Sequence, residues 1–364
     1  MQSAGAPKRA NAGDILLSVR APVGALNIAD RSYGIGRGLC AIRPALELDR
    51  GYAWWAINAA SPQLQAVATG STYDAVAGDD VGRLAIPEWS TGEQRAIADY
   101  LDRETARIDA LIAAKRRMRG LLGQRWQMVM QHAVAGRLDG GASARRPTTV
   151  PWLTDLPANW REGHLKLVAT LGTGHTPSRS HPEWWADLTI PWITTGEVAD
   201  MRSDNIEYVL ETREKISEVG MANSSATLHA AGTVVLCRTA SAGYSAIMGA
   251  DMATSQDFAT WTCGPLLRPR FLLLCLRAMR KDLLGRLAMG STHKTIYMPD
   301  IESIKVPIPP VDDQDRVVEA AHAQHQPLQT GVARLDAQLE LLTERRQALI
   351  TAAVTGQIEV PVAA

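Results

Sequence analysis

The chain has 364 residues, 46% apolar and 21% charged, and its 38 Lys and Arg balance 38 Asp and Glu. That length exceeds one small module and leaves room for two domains, and the composition excludes a disordered tail. No run approaches the roughly 18 to 20 consecutive apolar residues of a membrane span, and the first residues lack the apolar centre of a secretory signal, so a soluble cytoplasmic protein without a membrane partner is expected. Cys40, Cys237, Cys263 and Cys275 are scattered with no C-x-x-C pair, against both a disulfide framework and a cysteine zinc cage. Zero net charge neither suggests nor forbids DNA, since a neutral whole can carry a basic face.

In chain order, the first readable element is a glycine turn, an apolar strand, a basic residue and a second turn, Gly13-Asp-Ile-Leu-Leu-Ser-Val-Arg-Ala-Pro-Val-Gly24. It returns 219 residues later as Gly232-Thr-Val-Val-Leu-Cys-Arg-Thr-Ala-Ser-Ala-Gly243. At an offset of 220, Gly70-Ser-Thr matches Gly290-Ser-Thr, Leu84-Ala-Ile-Pro87 matches Ile304-Lys-Val-Pro307, Gln94 matches Gln314, and Ala133-Val-Ala-Gly136 matches Ala353-Val-Thr-Gly356. Landmarks in one order at nearly one spacing mark an internal repeat.

Each repeat closes with a long helical pattern, from about 92 to 135 and from about 312 to 355. Ser90-Thr-Gly-Glu93 has the capping-box form before the first, Pro309-Pro310-Val311-Asp312 introduces the second, and Gly136 and Gly356 stand where C-terminal caps belong. A 4-3 stepping lays an apolar seam through Ile97, Leu101, Ile108, Leu111, Met118, Leu122 and Val129, and through Val317, Leu328, Leu335, Leu342 and Leu349. About 42 residues at 1.5 Å each make a rod of roughly 60 Å, too long for one domain's core, so the two helices are expected to pair with each other, antiparallel. Pro327 predicts that the second begins near Gln329 or bends there.

Familiar catalytic patterns are missing. The sequence has no Gly-Lys of a phosphate-binding loop, no (D/E)-x-K metal spacing, no H-E-x-x-H, no G-x-S-x-G elbow and no Asn/Asp-Pro-Pro-aromatic signature. Gly34-Ile-Gly-Arg-Gly38 reads as a plain turn, His322 and His325 as a solvated helix face without a third metal ligand, and Trp54-Trp55 and Trp184-Trp185 as pairs split between core and surface.

Leu171-Gly-Thr-Gly-His-Thr-Pro-Ser-Arg179, Ile190-Pro-Trp-Ile-Thr-Thr-Gly-Glu197, Gly232-Thr-Val-Val-Leu236 and Val306-Pro-Ile-Pro-Pro-Val-Asp-Asp-Gln314, with the duplication, resemble the specificity subunits of type I restriction-modification systems over nearly the whole chain. The resemblance implies an α+β fold with two target-recognition domains, each followed by a long helix, the two helices pairing as an antiparallel coiled coil. It implies a non-catalytic subunit that reads a two-part target in double-stranded DNA. Two methyltransferase subunits and two restriction endonuclease subunits would be its partners. S-adenosylmethionine, ATP and Mg would sit on those partners, with no cofactor and no metal on this chain. Helix length would set the unread spacer between the half-sites.

Candidate DNA contacts are Arg179, Arg238 and Lys294 for phosphate or guanine, and Thr176, Ser178, Thr194, Thr195, Ser291 and Thr292 as short hydroxyls, with capping and solvation as the competing reading. Arg20 is the first-repeat counterpart of Arg238 to within one position. The expected segments are a partial first recognition domain (1–90), a first helix (91–136), a linker (137–150), a second recognition domain (151–310), a second helix (311–356) and a tail (357–364). Only 12 residues precede Gly13, against about 80 between the linker and Gly232. The first domain is therefore expected to lack strands and to expose a sheet edge, as in a truncated or rearranged reading frame. The alternative is a coiled-coil scaffold that binds protein partners, with DNA reading lost.

Overall fold

The computed structural model describes residues 8–68, 75–138, 144–288 and 294–361. The chain divides into two compact units, residues 1–118 with 334–364, and residues 119–333. Among the described residues no helix is long and apolar enough to cross a membrane.

In the first unit β1 (Arg9–Ala10) pairs with β4 (Tyr33–Gly34), and β2 (Ile15–Ser18) is the centre of an antiparallel sheet between β3 (Leu26–Ile28) and β5 (Leu39–Ile42). Side chains of β2 alternate, with Ile15 and Leu17 buried and Leu16 and Ser18 half-buried, as a strand with one covered face must. The cover is α1 (Arg50–Val67), capped by Asp49, whose Ala53, Ile57 and Leu64 recur at helical spacing against Ile15 and Leu17. A short α2 (Gly78–Gly82) then leads to α3 (Thr91–Val134).

The second unit opens on β6 (Arg145–Pro147), which lies in the stretch expected to be linker and pairs with β7 (Asp155–Pro157). Next come β8 (Arg161–His164), β9 (Ala169–Thr173), β10 (Ile190–Ile193), α4 (Val198–Met201), β11 (Tyr208–Val209), β12 (Glu214–Ile216) and α5 (Glu218–Ala222). They are followed by β13 (Val234–Cys237), β14 (Ser245–Met248), β15 (Ala253–Thr254), β16 (Phe258–Cys263), α6 (Pro269–Ala278), α7 (Arg280–Asp282), α8 (Met298–Glu302), β17 (Lys305–Ile308) and α9 (Val311–Val354). The main sheet has the order β11-β14-β13-β16-β9, a smaller one β12-β10-β15, and β17 pairs with β8. Both faces of the main sheet are covered. Val234, Leu236, Ile247 and Trp261 pack toward α6, which is buried from Phe271 to Ala278, whereas Val235, Cys237, Met248 and Phe258 pack on Ile193, Val198, Met201 and Val209.

The repeat is exact at the level of pairing. Every β2 pairing has a β13 counterpart 219 residues on: Ile15 opposite Ile28 and Ile42 matches Val234 opposite Ile247 and Trp261, and Ser18 opposite Leu39 matches Cys237 opposite Phe258. Gly13 and Gly232 (φ +86° and +88°) and Gly24 and Gly243 (φ +93° and +91°) share the left-handed conformation that keeps glycine at these turns. Gln94 and Gln314 are buried keystones with equivalent bonds. Gln94 accepts from the Asp49 amide at the start of α1 and donates to Glu47 and Trp89, and Gln314 accepts from the Arg268 amide at the start of α6 and donates to Leu266 and Pro309.

Both long helices form with the expected ends. The Ser90–Glu93 capping box is made in both directions, and each C-terminus closes in a Schellman turn, with Arg137 N bonding His132 O past Gly136 and Gln357 N bonding Ala352 O past Gly356. They run antiparallel within each unit. In the first, Lys115 Nζ donates to Gln338 Oε1 at 2.6 Å and Arg346 Nε to Asp109 Oδ1 at 2.8 Å, over a core of Ile97, Leu101, Ile350 and Ala353. In the second, the Trp126 and His325 rings stack 3.7 Å apart and Met130 and Ala133 share a core with Val317 and Ala321.

The seam of α3 departs from strict heptads. Ile97, Leu101, Ile108 and Val129 are buried and Leu122 is half-buried, but Leu111 and Met118 are 52% and 55% exposed, and Thr105 and Ile112 point inward. A straight helix repeats every 3.6 residues and drifts about 20° per heptad from a 3.5 seam, enough to move the inward position from Leu111 to Ile112. On α9, Val317, Leu328 and Leu335 are buried, and Leu342 and Leu349 half-buried. Pro327 neither starts nor ends α9. It lies on an exposed face beside exposed Ala323, whose carbonyl, deprived of its usual donor, is left to water.

Candidate nucleic-acid interface

Two glycines of the Leu171–Pro177 segment set how closely β9 approaches its neighbours. A Cβ on Gly174 would stand 1.9 Å from the Thr254 carbonyl oxygen, and one on Gly172 2.6 Å from Thr260 Oγ1. Gly174→Ala is therefore expected to destabilise the second unit by about 1–3 kcal/mol, readable as a lowered urea midpoint, while an unchanged midpoint would mean that the 174–176 turn moves freely. The close approach lets His175 N bond Thr254 O at 3.0 Å, which delivers Thr176 to the turn between β15 and β16.

Two of the expected contact residues converge there, and a third lies at the turn after Arg238. Thr176 Oγ1 donates to Gln256 Oε1 at 2.6 Å, and Arg238 Nε to the Gln256 carbonyl at 2.9 Å. Lys294 bridges to Ser241 in the turn after Arg238, and its ammonium donates to the Leu284 carbonyl at 2.8 Å. Asp257 stiffens this turn cluster by accepting from Thr239 Oγ1 and Ser255 Oγ. Gln256, exposed and held from two sides, was not singled out in the sequence, because only the pairing of β13 with β16 brings it beside Arg238. Its side-chain oxygen is engaged, which leaves the amide donors to face outward partners.

A second group forms on the smaller sheet. The Arg179 guanidinium lies over the Trp185 ring at 4.1 Å and donates to Glu214 Oε2 at 3.2 Å, while Trp185 Nε1 donates to the Ser178 carbonyl. Ser178 Oγ bonds Ser180 Oγ at 2.7 Å. Thr194 is committed to a capping box: its amide donates to Glu197 Oε2 at 2.7 Å, and its hydroxyl accepts from Gly196 N. Buried Glu197 also accepts from Arg213 N, so Thr194 serves the fold, whereas Thr195 is exposed. Ser291 and Thr292 lie outside the described residues.

In the first unit the counterpart of Arg238 is Val19. Val19 N bonds Gly38 O and Val19 O accepts from Val76 N, as Arg238 N bonds Asp257 O and Arg238 O accepts from Ile296 N. Exposed Arg20 corresponds to Thr239, so the first turn carries its cation one position later, where the side chain projects to the other side of the chain. Trp55 is buried with Nε1 on Asp102, and half-buried Trp184 stacks on His181 at 4.1 Å.

Between α3, α6, α9 and the segment before β11 lies a polar cavity of about 280 Å³ lined by Asp204, Glu207, Arg270, Arg277, His322 and His325 among others. His322 and His325 do not form a solvated face. His325 is buried against Trp126, and His322 Nε2 faces Glu207 Oε1 at 2.5 Å, because α3 and the segment before β11 cover this side of α9. Among the described residues no three His, Cys, Asp or Glu side chains gather as a metal site.

Residues 157–326 match the type I restriction modification DNA specificity domain. The chain is 32% identical over 126 residues to the type I restriction enzyme MjaX specificity subunit of Methanocaldococcus jannaschii, covering 34% of this chain and 29% of that protein. It is 26% identical over 169 residues to the MjaIX specificity subunit of the same organism, covering 44% and 37%. The alignments thus span about a third of each relative's own length. A chain from a structural study of complex assembly and conformational transition of the type I R-M system has the same fold, with a TM-score of 0.68 at 19% identity over 98% of this chain and 86% of that one. With its repeated sheet-and-helix plan and a recognition segment, residues 157–326, that matches the type I restriction modification DNA specificity domain, the chain is similar to the specificity subunits of type I restriction-modification systems.

Proposed function

We propose that the chain is the DNA-reading subunit of a type I restriction-modification complex. It carries no bond chemistry itself, and it holds a two-part duplex target in register for methyltransferase and endonuclease subunits that bring S-adenosylmethionine, ATP and Mg. The observation that carries this reading is the convergence of Thr176 and Arg238 on Gln256, with Lys294 bridging the turn that follows Arg238, inside the segment that matches the DNA specificity domain. Cations fixed at turn tips suit phosphates and guanine edges, and short hydroxyls suit either. Residues 151–310 form the second recognition domain in this reading, residues 1–90 a partial first one, 91–136 and 311–356 the two helices, 137–150 the linker and 357–364 the tail. Arg20, Ser178, Arg179, Thr195, Ser291 and Thr292 remain proposed contacts. The exposed Leu111 and Met118 in the first unit, and the exposed Leu121 and Met128 in the second, offer methyltransferase subunits apolar ground on the helix pairs of a cytoplasmic complex.

Co-expression with a methyltransferase subunit encoded beside it, followed by genome-wide mapping of methylated adenines, tests the assignment. A two-part methylated motif is expected, and failure to form any complex would overturn it. Arg238→Ala and Lys294→Ala should each weaken DNA binding and lower the slope of log affinity against log salt by about 1, measured by fluorescence anisotropy between 50 and 200 mM salt. An unchanged slope would remove that residue from the phosphate contacts.

A further inference from the structure

The strands β5 and β16 are entered through the same β-turn, placed 219 residues apart: Gly36 O accepts from Leu39 N and Ser255 O from Phe258 N, both at 3.2 Å. Each turn is tied to the strand beside it, Val19 N bonding Gly38 O at 3.0 Å and Arg238 N bonding Asp257 O at 2.8 Å. The second residue of each turn is a fixed, exposed tip, Arg37 in the first unit and Gln256 in the second. The two residue types differ, yet both tips offer the same hydrogen-bonding chemistry. A guanidinium only donates, and among the described residues that of Arg37 has no partner. A carboxamide both donates and accepts, but Thr176 Oγ1 takes up Gln256 Oε1 at 2.6 Å and leaves Nε2 unshared. Arg238 Nε holds the Gln256 carbonyl at 2.9 Å, so this tip is steadied at its backbone and at its side chain. Around Arg37 the space is open, since a Cβ on Gly36 would meet nothing within 4 Å.

We propose that Arg37 and Gln256 are the base-reading residues of the two repeats, each donating to a guanine in the major groove of its half-site. This inference rests on the DNA-reading function proposed above and names the base that the two turns select. Guanine is the one base whose major-groove edge presents two acceptors, O6 and N7, with no donor. Adenine sets an amino donor beside N7, and cytosine presents an amino donor, so either would bring donor against donor. Thymine offers a single acceptor next to a methyl group. The cations beside the tips are left for phosphates: Arg238 behind Gln256, and Arg20, whose Cδ would lie 4.0 Å from a Cβ on Gly38. The Gly34-Ile-Gly-Arg-Gly38 turn thereby gains a task beyond reversing the chain.

The test compares the full chain, co-expressed with the methyltransferase subunit, with its Gln256→Ala, Gln256→Glu, Arg37→Ala and Thr176→Val variants. Methylated adenines are mapped genome-wide, and duplexes varied at one base pair of the mapped site compete for binding to each complex. The wild-type motif should hold a guanine in each half, and each alanine variant should relax one of them, losing discrimination by about tenfold. Gln256→Ala should act on one half and Arg37→Ala on the other, while the remaining positions stay fixed and report an intact fold. Gln256→Glu, which only accepts, should exchange its guanine for cytosine on that strand, and Thr176→Val, which frees Oε1, should admit adenine there. Retention of the complete motif by either alanine variant, or a relaxed position that is not guanine in the wild type, would overturn this inference and leave the DNA-reading function standing. A wild-type complex with no two-part motif would overturn both.

Discussion

Asp204→Ala is expected to destabilise the second unit by about 3–5 kcal/mol, the cost typical of breaking a buried ion pair from one side. Asp204 is 8% exposed, in a left-handed conformation (φ +57°), and its carboxylate accepts two bonds from Arg280, at 2.9 and 2.5 Å, with Arg277 Nε at 3.4 Å. Arg277, 3% exposed on α6, donates to the carbonyls of Asp204, Ile206 and Ser245. Burial pulls the Arg277 guanidinium below its ordinary pKa and the Asp204 charge holds it up. Removing the carboxylate leaves two guanidinium groups facing each other in a largely dry site. Urea unfolding read by hydrogen exchange of the β13 and β14 amides measures the loss. A drop below about 1 kcal/mol would mean that the carbonyl bonds of Arg277 alone anchor the segment before β11. Because that segment brings Val209 and Ile206 onto the second face of the sheet, the variant should also loosen the turn that carries Arg238.

The second large effect is pH dependence centred on His325. Burial against Trp126, reinforced by His322 on the same helix and Arg277 on α6, pulls its pKa from about 6.5 down to about 4, with Asp204 and Glu207 before β11 opposing. Between those values the unfolded chain binds a proton that the folded chain refuses. The stabilisation is therefore complete above about pH 6.5 and is lost as pH falls toward 4. At 1.36 kcal/mol per unit, the difference between the wild type and a variant that does not titrate there should reach about 3 kcal/mol. His325→Phe keeps a ring on Trp126 and removes the proton site. Its unfolding free energy between pH 7 and 4, compared with that of the wild type, isolates this contribution from the carboxylates that titrate in the same range. Parallel curves for the two proteins would show that His325 protonates equally in both states.

The residues that set local geometry were legible in the sequence. Gly136 and Gly356 at the helix ends, Ser90 and Glu93 at the first helix start, and the paired glycine turns at 13, 24, 232 and 243 act through their own backbone neighbours, so their roles follow from residue type and spacing. The repeat was legible because two copies of one plan must place the same residue types at the same intervals, and Gln94 and Gln314 show how far that identity goes.

What the chain alone determined is therefore the fold class, the duplication, the two long helices with their ends, and the kinship carried by motifs in a fixed order. Tertiary structure decided what depends on contacts distant in sequence. Ile112 replaces Leu111 in the seam because a straight helix keeps its own 3.6 period against whatever faces it. His325 is a buried stacking partner because α3 arrives 200 residues earlier in the chain to cover it, and Thr194 serves a cap while Thr176 reaches Gln256 across the β9–β16 pairing. Which of two chemically similar side chains is free to face a ligand is set by what lies across from it, and sequence spacing carries no record of that neighbour.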